Sequence, residues 1–236
     1  MDEDELDRDS RERELVRDFG ERNENGEIVG LDFSRFYHPP LSTIIGGARD
    51  SLTKLKLRRC VQTLPTVIFE LSSLTTLDVS YNPLQTLPVE ISQLKTLTEL
   101  NVSGTRLETL PAWIGQLAGL TKLQVSDNHL ETLPLELTQL EALNELYIWN
   151  NQLRTLPPVI CQLSTLTKLH VGKNRIETLP AEISRLNELS ALYIFMNELT
   201  TLPAEIGQLT TLTKLYLEDN RFETLPACIA RLQGFT

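Results

Sequence analysis

LNELYIWNNQLRTLPPVICQLST (residues 143–165) runs straight into LTKLHVGKNRIETLPAEISRLNE (residues 166–188). The two stretches share Leu at the first and fourth places, Ile or Val at the sixth, Asn at the ninth and Thr-Leu-Pro at the thirteenth to fifteenth. Working outward, segments opening at Leu74, Leu97, Leu120, Leu143, Leu166, Leu189 and Leu212 recur every 23 residues as L-x-x-L-x-V/I/L-x-x-N-x-L-x-T-L-P-x-x-I-x-x-L-x-x. A copy from Leu52 is one residue shorter, Ile28 opens a degenerate first copy, and Phe235 starts another that does not continue. Self-similarity at this period marks stacked repeats.

Each part of the pattern has a mechanical reading. The apolar residues at the fourth and sixth places point to one side of a short strand, and the residues between and beside them to the other. The Asn then turns the chain, and its amide can bond the neighbouring coil's backbone. Cys60 and Thr105 stand in its place in two copies, which predicts a looser ladder there. Proline stops the strand and directs a short helical return, with Ile and Leu three apart facing inward. One unit cannot bury its apolar side alone; a stack can. The predicted fold is an α/β right-handed solenoid, a horseshoe with a parallel concave sheet and short helical or 3-10 returns on the convex side. Sevenfold spacing is missing and proline recurs in every unit, which sets aside coiled coils and all-helical solenoids.

The L-P-x-x-I unit of 23 residues resembles the intracellular leucine-rich-repeat group that includes Ras-suppressor, Scribble and Erbin type and plant Ras-group proteins. Similar arrays occur in bacterial type III effectors. The resemblance covers about residues 28–236 and implies the fold; it names no partner, because the shared residues are the buried ones.

The formal charge is −10, and residues 1–27 supply −7 of it, with 12 Asp/Glu against 5 Arg. The array itself is close to neutral; the acidity of the chain argues against nucleic acid or an anionic membrane as partner, and no apolar stretch is long enough to insert across a bilayer. Residues 1–27 read as an acidic tail plus an N-terminal capping helix carrying Leu15, Val16 and Phe19, with Arg22–Glu27 leading straight into the first strand. Residues 28–236 read as about nine repeats with no C-terminal cap, so Leu225, Leu232 and Phe235 form an apolar edge open to self-association or to a further domain. Three scattered cysteines and no signal peptide point to the cytosol, or to a host cytosol for an effector. Asn101-Val102-Ser103 matches a glycosylation sequon and is read as chance.

With the buried places fixed, the variable places carry the specificity. The third, fifth, seventh and eighth residues of each copy are expected on the concave face. Its first half is small, polar or charged, with a basic group at Lys54, Lys56, Arg58 and Arg59. Its second half carries Tyr147, Trp149, His170, Tyr193, Phe195, Met196 and Tyr216. Exposed rings of this kind anchor interfaces; the competing reading is that rings on adjacent strands simply stabilise the sheet. Lysines and acids around them supply a polar rim.

No phosphate loop, zinc-ligand spacing or nucleophile pair is present, so neither cofactor nor metal is expected. The sequence therefore points to a non-enzymatic scaffold or recognition module that holds a protein partner, a folded domain or a peptide, on its concave face. The alternative is the substrate-recognition arm of a larger signalling enzyme or effector.

Overall fold

The computed structural model describes residues 20–34, 36, 39, 41–46, 48–224 and 226–232. Ten strands form one sheet in chain order: β1 (Gly20–Arg22), β2 (Ile28–Asp32), β3 (Lys54–Lys56), β4 (Thr76–Asp78), β5 (Glu99–Asn101), β6 (Lys122–Gln124), β7 (Glu145–Tyr147), β8 (Lys168–His170), β9 (Ala191–Tyr193) and β10 (Lys214–Tyr216). From β2 to β10 every neighbouring pair is parallel and in register, so each place in the pattern stacks on the same place in the next coil.

The returns are 3-10 turns, from Thr66–Glu70 in the coil of Leu52 to Ala227–Arg231 in the coil of Leu212. Each is preceded by a proline, extended in all but the last. The first coil returns through α1 (Leu41–Gly46) instead. Between sheet and returns lies one continuous core of stacked columns, among them Leu77, Leu100, Leu123, Leu146, Leu169 and Leu192, each fully buried.

Two side-chain ladders lock coil to coil. Asn128 Oδ1 accepts from Leu107 N–H at 2.9 Å, while its Nδ2 donates to Val102 and Val125 carbonyls at 3.0 Å each. Asn151, Asn174 and Asn197 repeat the arrangement, all buried. A second ladder runs through the residue after the first leucine. Thr75, Thr98 and Thr121 each donate a hydroxyl to the carbonyl of the equivalent threonine one coil back (Thr53, Thr75 and Thr98), at 3.0, 3.1 and 3.1 Å.

The substituted rungs behave differently. Beside Cys60 the turn stays tied, because Asn82 Oδ1 accepts from Cys60 and Val61 N–H at 2.9 Å each. Thr105 keeps only the local half of the Asn role: its hydroxyl donates to Val102 O at 2.7 Å. In the coil before it, Leu84 N–H bonds Asn82 O across Pro83 at 2.8 Å, and Thr86 N–H bonds Leu84 O at 2.7 Å across a left-handed Gln85 (φ 60°). These two tight turns redirect the coil-to-coil contact, which here is Gln85 N–H donating to Thr105 O at 2.9 Å.

At the N-terminal edge, Arg22–Glu27 does not lead straight into the first strand as expected. Gly20–Arg22 pairs antiparallel with β2, and Asn23–Gly26 forms the hairpin turn. Gly26 takes the left-handed conformation (φ 80°) while Asn23 Oδ1 accepts from Asn25 and Glu27 N–H at 3.0 and 2.9 Å. A paired strand thus covers the sheet edge there. The expected helix through Leu15, Val16 and Phe19 lies outside the described residues, as do Leu225 and Phe235 of the C-terminal edge.

Candidate functional site

The strands bring the fifth-place residues Tyr147, His170, Tyr193 and Tyr216 side by side, each paired in register with the next. Their rings form a stack. Tyr193 and Tyr216 lie parallel at 4.7 Å between centroids, and His170 and Tyr193 at 4.9 Å. His170 is the hub: Phe195 meets it edge-on at 5.4 Å, Trp149 at 6.0 Å and Tyr147 at 6.2 Å. Phe195 lies flat on Gly172, where an added Cβ would meet the ring at 3.0 Å. Gly172 is thus the notch that lets two large seventh-place rings, Trp149 and Phe195, flank one coil.

All seven residues expected at this surface come together on it. Most rings are half-buried by one another, while Met196 and Tyr216 are exposed. Mutual stacking and display therefore coexist. The crowding also lowers the pKa of His170, because burial disfavours its charged form; its Nδ1 is buried with no hydrogen-bond partner.

One side of the stack is charged. Glu145 sits between Lys168 (2.9 Å) and Lys122 (3.6 Å) and accepts from the Tyr147 hydroxyl at 2.8 Å. Burial pushes its pKa up, but these partners outweigh burial and hold it below the usual carboxylate range. The same two ammonium groups lie 5.5 and 5.8 Å from the Tyr147 ring centroid, and Lys173 lies 5.5 Å from that of Trp149. Contacts of this kind hold rings and cations in fixed places.

The polar half is organised by Tyr81. Its ring lies across Gly104, its hydroxyl donates to Asp127 Oδ2 at 3.0 Å, and Asn150 Nδ2 donates to the other oxygen at 2.6 Å. Arg58 and Arg59 of the basic group sit over that ring, at 4.5 and 5.1 Å. Lys56 pairs with Asp32 at 3.5 Å and Lys54 with Glu21 at 3.7 Å. All four cations are engaged within the chain.

Two features of this face lie beyond the sequence reading. Seventh-place serines are not displayed: Ser80, Ser103 and Ser126 are buried. Eighth-place residues all take the left-handed conformation, at Arg59, Tyr81, Gly104, Asp127, Asn150, Lys173, Met196 and Asp219. The mixture of Asp, Asn and Gly at that place was the available signal. The strain is offset by a regular bond; Lys173 N–H, for example, donates to Phe195 O at 3.0 Å in the next coil.

Chemistry is not assembled here. Cys60 and Cys161 are buried, and burial pushes their thiol pKa values up to about 11 and about 12, which keeps both protonated at neutral pH. Among the described residues, no three His, Cys, Asp or Glu side chains converge as metal ligands. Nor is any helix there long and apolar enough to cross a membrane.

A leucine-rich-repeat family model matches residues 50–107, 118–176, 141–199 and 164–222, well over half of the chain. The chain belongs to the leucine-rich-repeat family. Among solved structures, this leucine-rich-repeat array is similar to a leucine-rich-repeat protein of Leptospira interrogans, at 38% identity and a TM-score of 0.75. That match covers 79% of this chain and 48% of the other, so the chain spans about half the length of that relative. An internalin of Listeria monocytogenes matches at 24% identity and a TM-score of 0.75, covering 89% of this chain and 60% of that one. The leucine-rich-repeat ectodomain of an Arabidopsis thaliana receptor kinase, solved in complex with Casparian strip integrity factor 2, matches at 24% identity and 0.74, over 92% of this chain and 28% of that one. At such identity the last two show the fold alone. No curated protein matches the sequence. Leucine-rich-repeat arrays are commonly protein-interaction modules and generally non-catalytic.

Proposed function

We propose that this chain is a recognition module that holds a protein partner on the concave face of β7 to β10 and the turns that follow them. The observation that carries this reading is the continuous ring surface of Tyr147, Trp149, His170, Tyr193, Phe195 and Tyr216, with Met196 exposed beside it. Sheet stability alone would be served by a buried stack; the exposed Tyr216 and Met196 offer apolar area that a partner can cover. Lys122, Lys168 and Lys173 hold fixed positions around it and give orientation. The module acts by shape and burial, with no bond made or broken. Unpaired, buried Cys60 and Cys161 suit a reducing cytosol.

The test is capture from the source cell by the wild-type chain beside Trp149→Ala with Phe195→Ala. The double variant should keep its circular dichroism and lose the captured protein. A folded double variant that captures the same partner equally well would refute the reading.

A further inference from the structure

A groove of about 450 Å³ opens on the flank of the array, lined by Gln85, Thr86, Arg106, Glu108, Thr109 and His129. It lies beyond the Asn ladder, away from the aromatic face, and the sequence accounts for its place. In later coils the tenth-place N–H closes onto the previous coil: His129 onto Leu107 O at 2.8 Å, then Gln152 onto Leu130 O and Arg175 onto Leu153 O at 2.9 Å each. The Arg106 N–H makes no such bond, and Leu84 O accepts from Thr86 N–H instead. Pro83, the missing ladder Asn at Thr105, and left-handed Gln85 and Arg106 (φ 60° and 65°) all fall at this one step. The Asn rung and the tenth-place bond are both missing there, and Gln85 N–H donating to Thr105 O at 2.9 Å joins the two turns instead.

All six lining residues carry polar side chains, and none of these side chains has a hydrogen bond or ion pair within the described protein, even though Arg106 and Glu108 border the same groove. Donors dominate: a guanidinium, an imidazole, an amide and two hydroxyls face a single carboxylate. A donor-rich groove around a guanidinium suits a planar oxyanion. The one acid, Glu108, disfavours a dianionic phosphate and provides an acceptor for an N–H on the ligand. No phenyl or indole ring lines the groove to stack a sugar. We propose that this groove binds a carboxylate carried beside an N–H donor, as on an acidic side chain or the C-terminus of a peptide, with Arg106 pairing the carboxylate and Glu108 accepting the N–H.

The ring C–H signals of His129 and the Nε–H signal of Arg106 report directly by NMR. Two probes separate the sources: N-acetylglycine offers a terminal carboxylate, and N-acetylglutamic acid α-amide a side-chain one. At least one should give saturable shifts at both residues, with a dissociation constant of about 1 mM, the scale of a single small contact site. Arg106→Gln should weaken that probe at least about tenfold, the loss expected with one charge-assisted pair. Glu108→Gln should weaken the same probe while leaving bare acetate as tight or tighter. Unchanged amide dispersion elsewhere verifies that each variant folds. The proposal is overturned if neither probe saturates, if Arg106→Gln binds as well as wild type, or if chloride at equal concentration gives the same shifts, which would mean an adventitious ion only.

Discussion

Gly104 meets two demands at once: its φ is 66°, and an added Cβ would stand 2.6 Å from the Tyr81 ring. Gly104→Ala should therefore lower unfolding free energy by about 1–3 kcal/mol, from left-handed strain plus displacement of the ring. Gly119→Ala, where the nearest atoms are carbonyls at 3.6 and 3.8 Å, should change it little; urea titration of both variants measures the contrast. His170 makes a pH-dependent counterpart. Its pKa is lowered by burial among rings, so the native state binds fewer protons than the unfolded chain once pH drops below the unfolded value of about 6.5. Its share of stability is present above that pH and falls away as pH descends towards the lowered native value. Urea midpoints across this range should fall more steeply for wild type than for His170→Phe, and parallel curves would show that the imidazole does not report its burial. Neither role was legible in the residue types alone. The pattern set Tyr81 and Gly104 on the same eighth-place ridge, but that the ring would reach across a whole coil to Asp127 follows from the left-handed backbone, which no single copy reveals.

The rung of the Asn ladder is the element that ties turn to turn. Asn174 joins the Leu153 N–H (3.1 Å) to the carbonyls of Ile148 (3.1 Å) and Val171 (3.0 Å), all buried. Asn174→Ala leaves these groups without partners and should cost about 2–4 kcal/mol, since each unmet buried group costs about 1–3 kcal/mol and some recover water; the denaturant midpoint measures it. The returns make a chemical prediction. Cys161 on Pro158–Gln162 and Cys60 in its turn are buried protonated thiols, whereas Cys228 is half-exposed, its Sγ 3.9 Å from Leu202 O. A disulfide reagent should label Cys228 quickly in the native protein and the other two only on unfolding. Equal rates for all three would contradict this packing. Elements of this kind were the most legible part of the sequence. Strand, Asn turn, proline and return are each specified by residues that recur in nearly every copy, so an error in one copy is corrected by the others. The hairpin of β1 was missed because it occurs once: GERNENGE carries no apolar alternation, only a turn signal at Asn25-Gly26.

A stack in which coils touch mainly their neighbours, with the Tyr81–Asp127 bond as an exception, has few distant contacts to average out a local fault, so its stability varies along its length. The same property explains which parts of the candidate surfaces could be foreseen. The aromatic surface was legible because registered strands put equal places side by side, and the sum over coils is then arithmetic on the sequence. The flank groove was not, because it depends on a bond that fails to form between Arg106 and Leu84, and absence at one step leaves no periodic trace. That step is also the weakest internal seam expected of the array. Later steps carry both an Asn rung and a tenth-place backbone bond, as at Asn174 with Arg175 onto Leu153 O; the step between the coils of Leu74 and Leu97 keeps its strand pairing and core but lacks both. Amide exchange should therefore divide the protein: the Arg106 N–H should exchange at least about tenfold faster than the tenth-place N–H groups of Gln152 and Arg175, the ratio expected when about 1.4 kcal/mol of local bonding is missing. Thr105→Asn alone should not close the gap, because Pro83 still directs Leu84 into its tight turn. Pro83→His with Thr105→Asn gives this step the Asn-His-Leu turn and Asn rung seen at Asn128-His129-Leu130, and should bring the protection of the Arg106 N–H up to that of the later coils. If the double variant leaves exchange at Arg106 unchanged, the seam has another cause than the two residues that break the repeat.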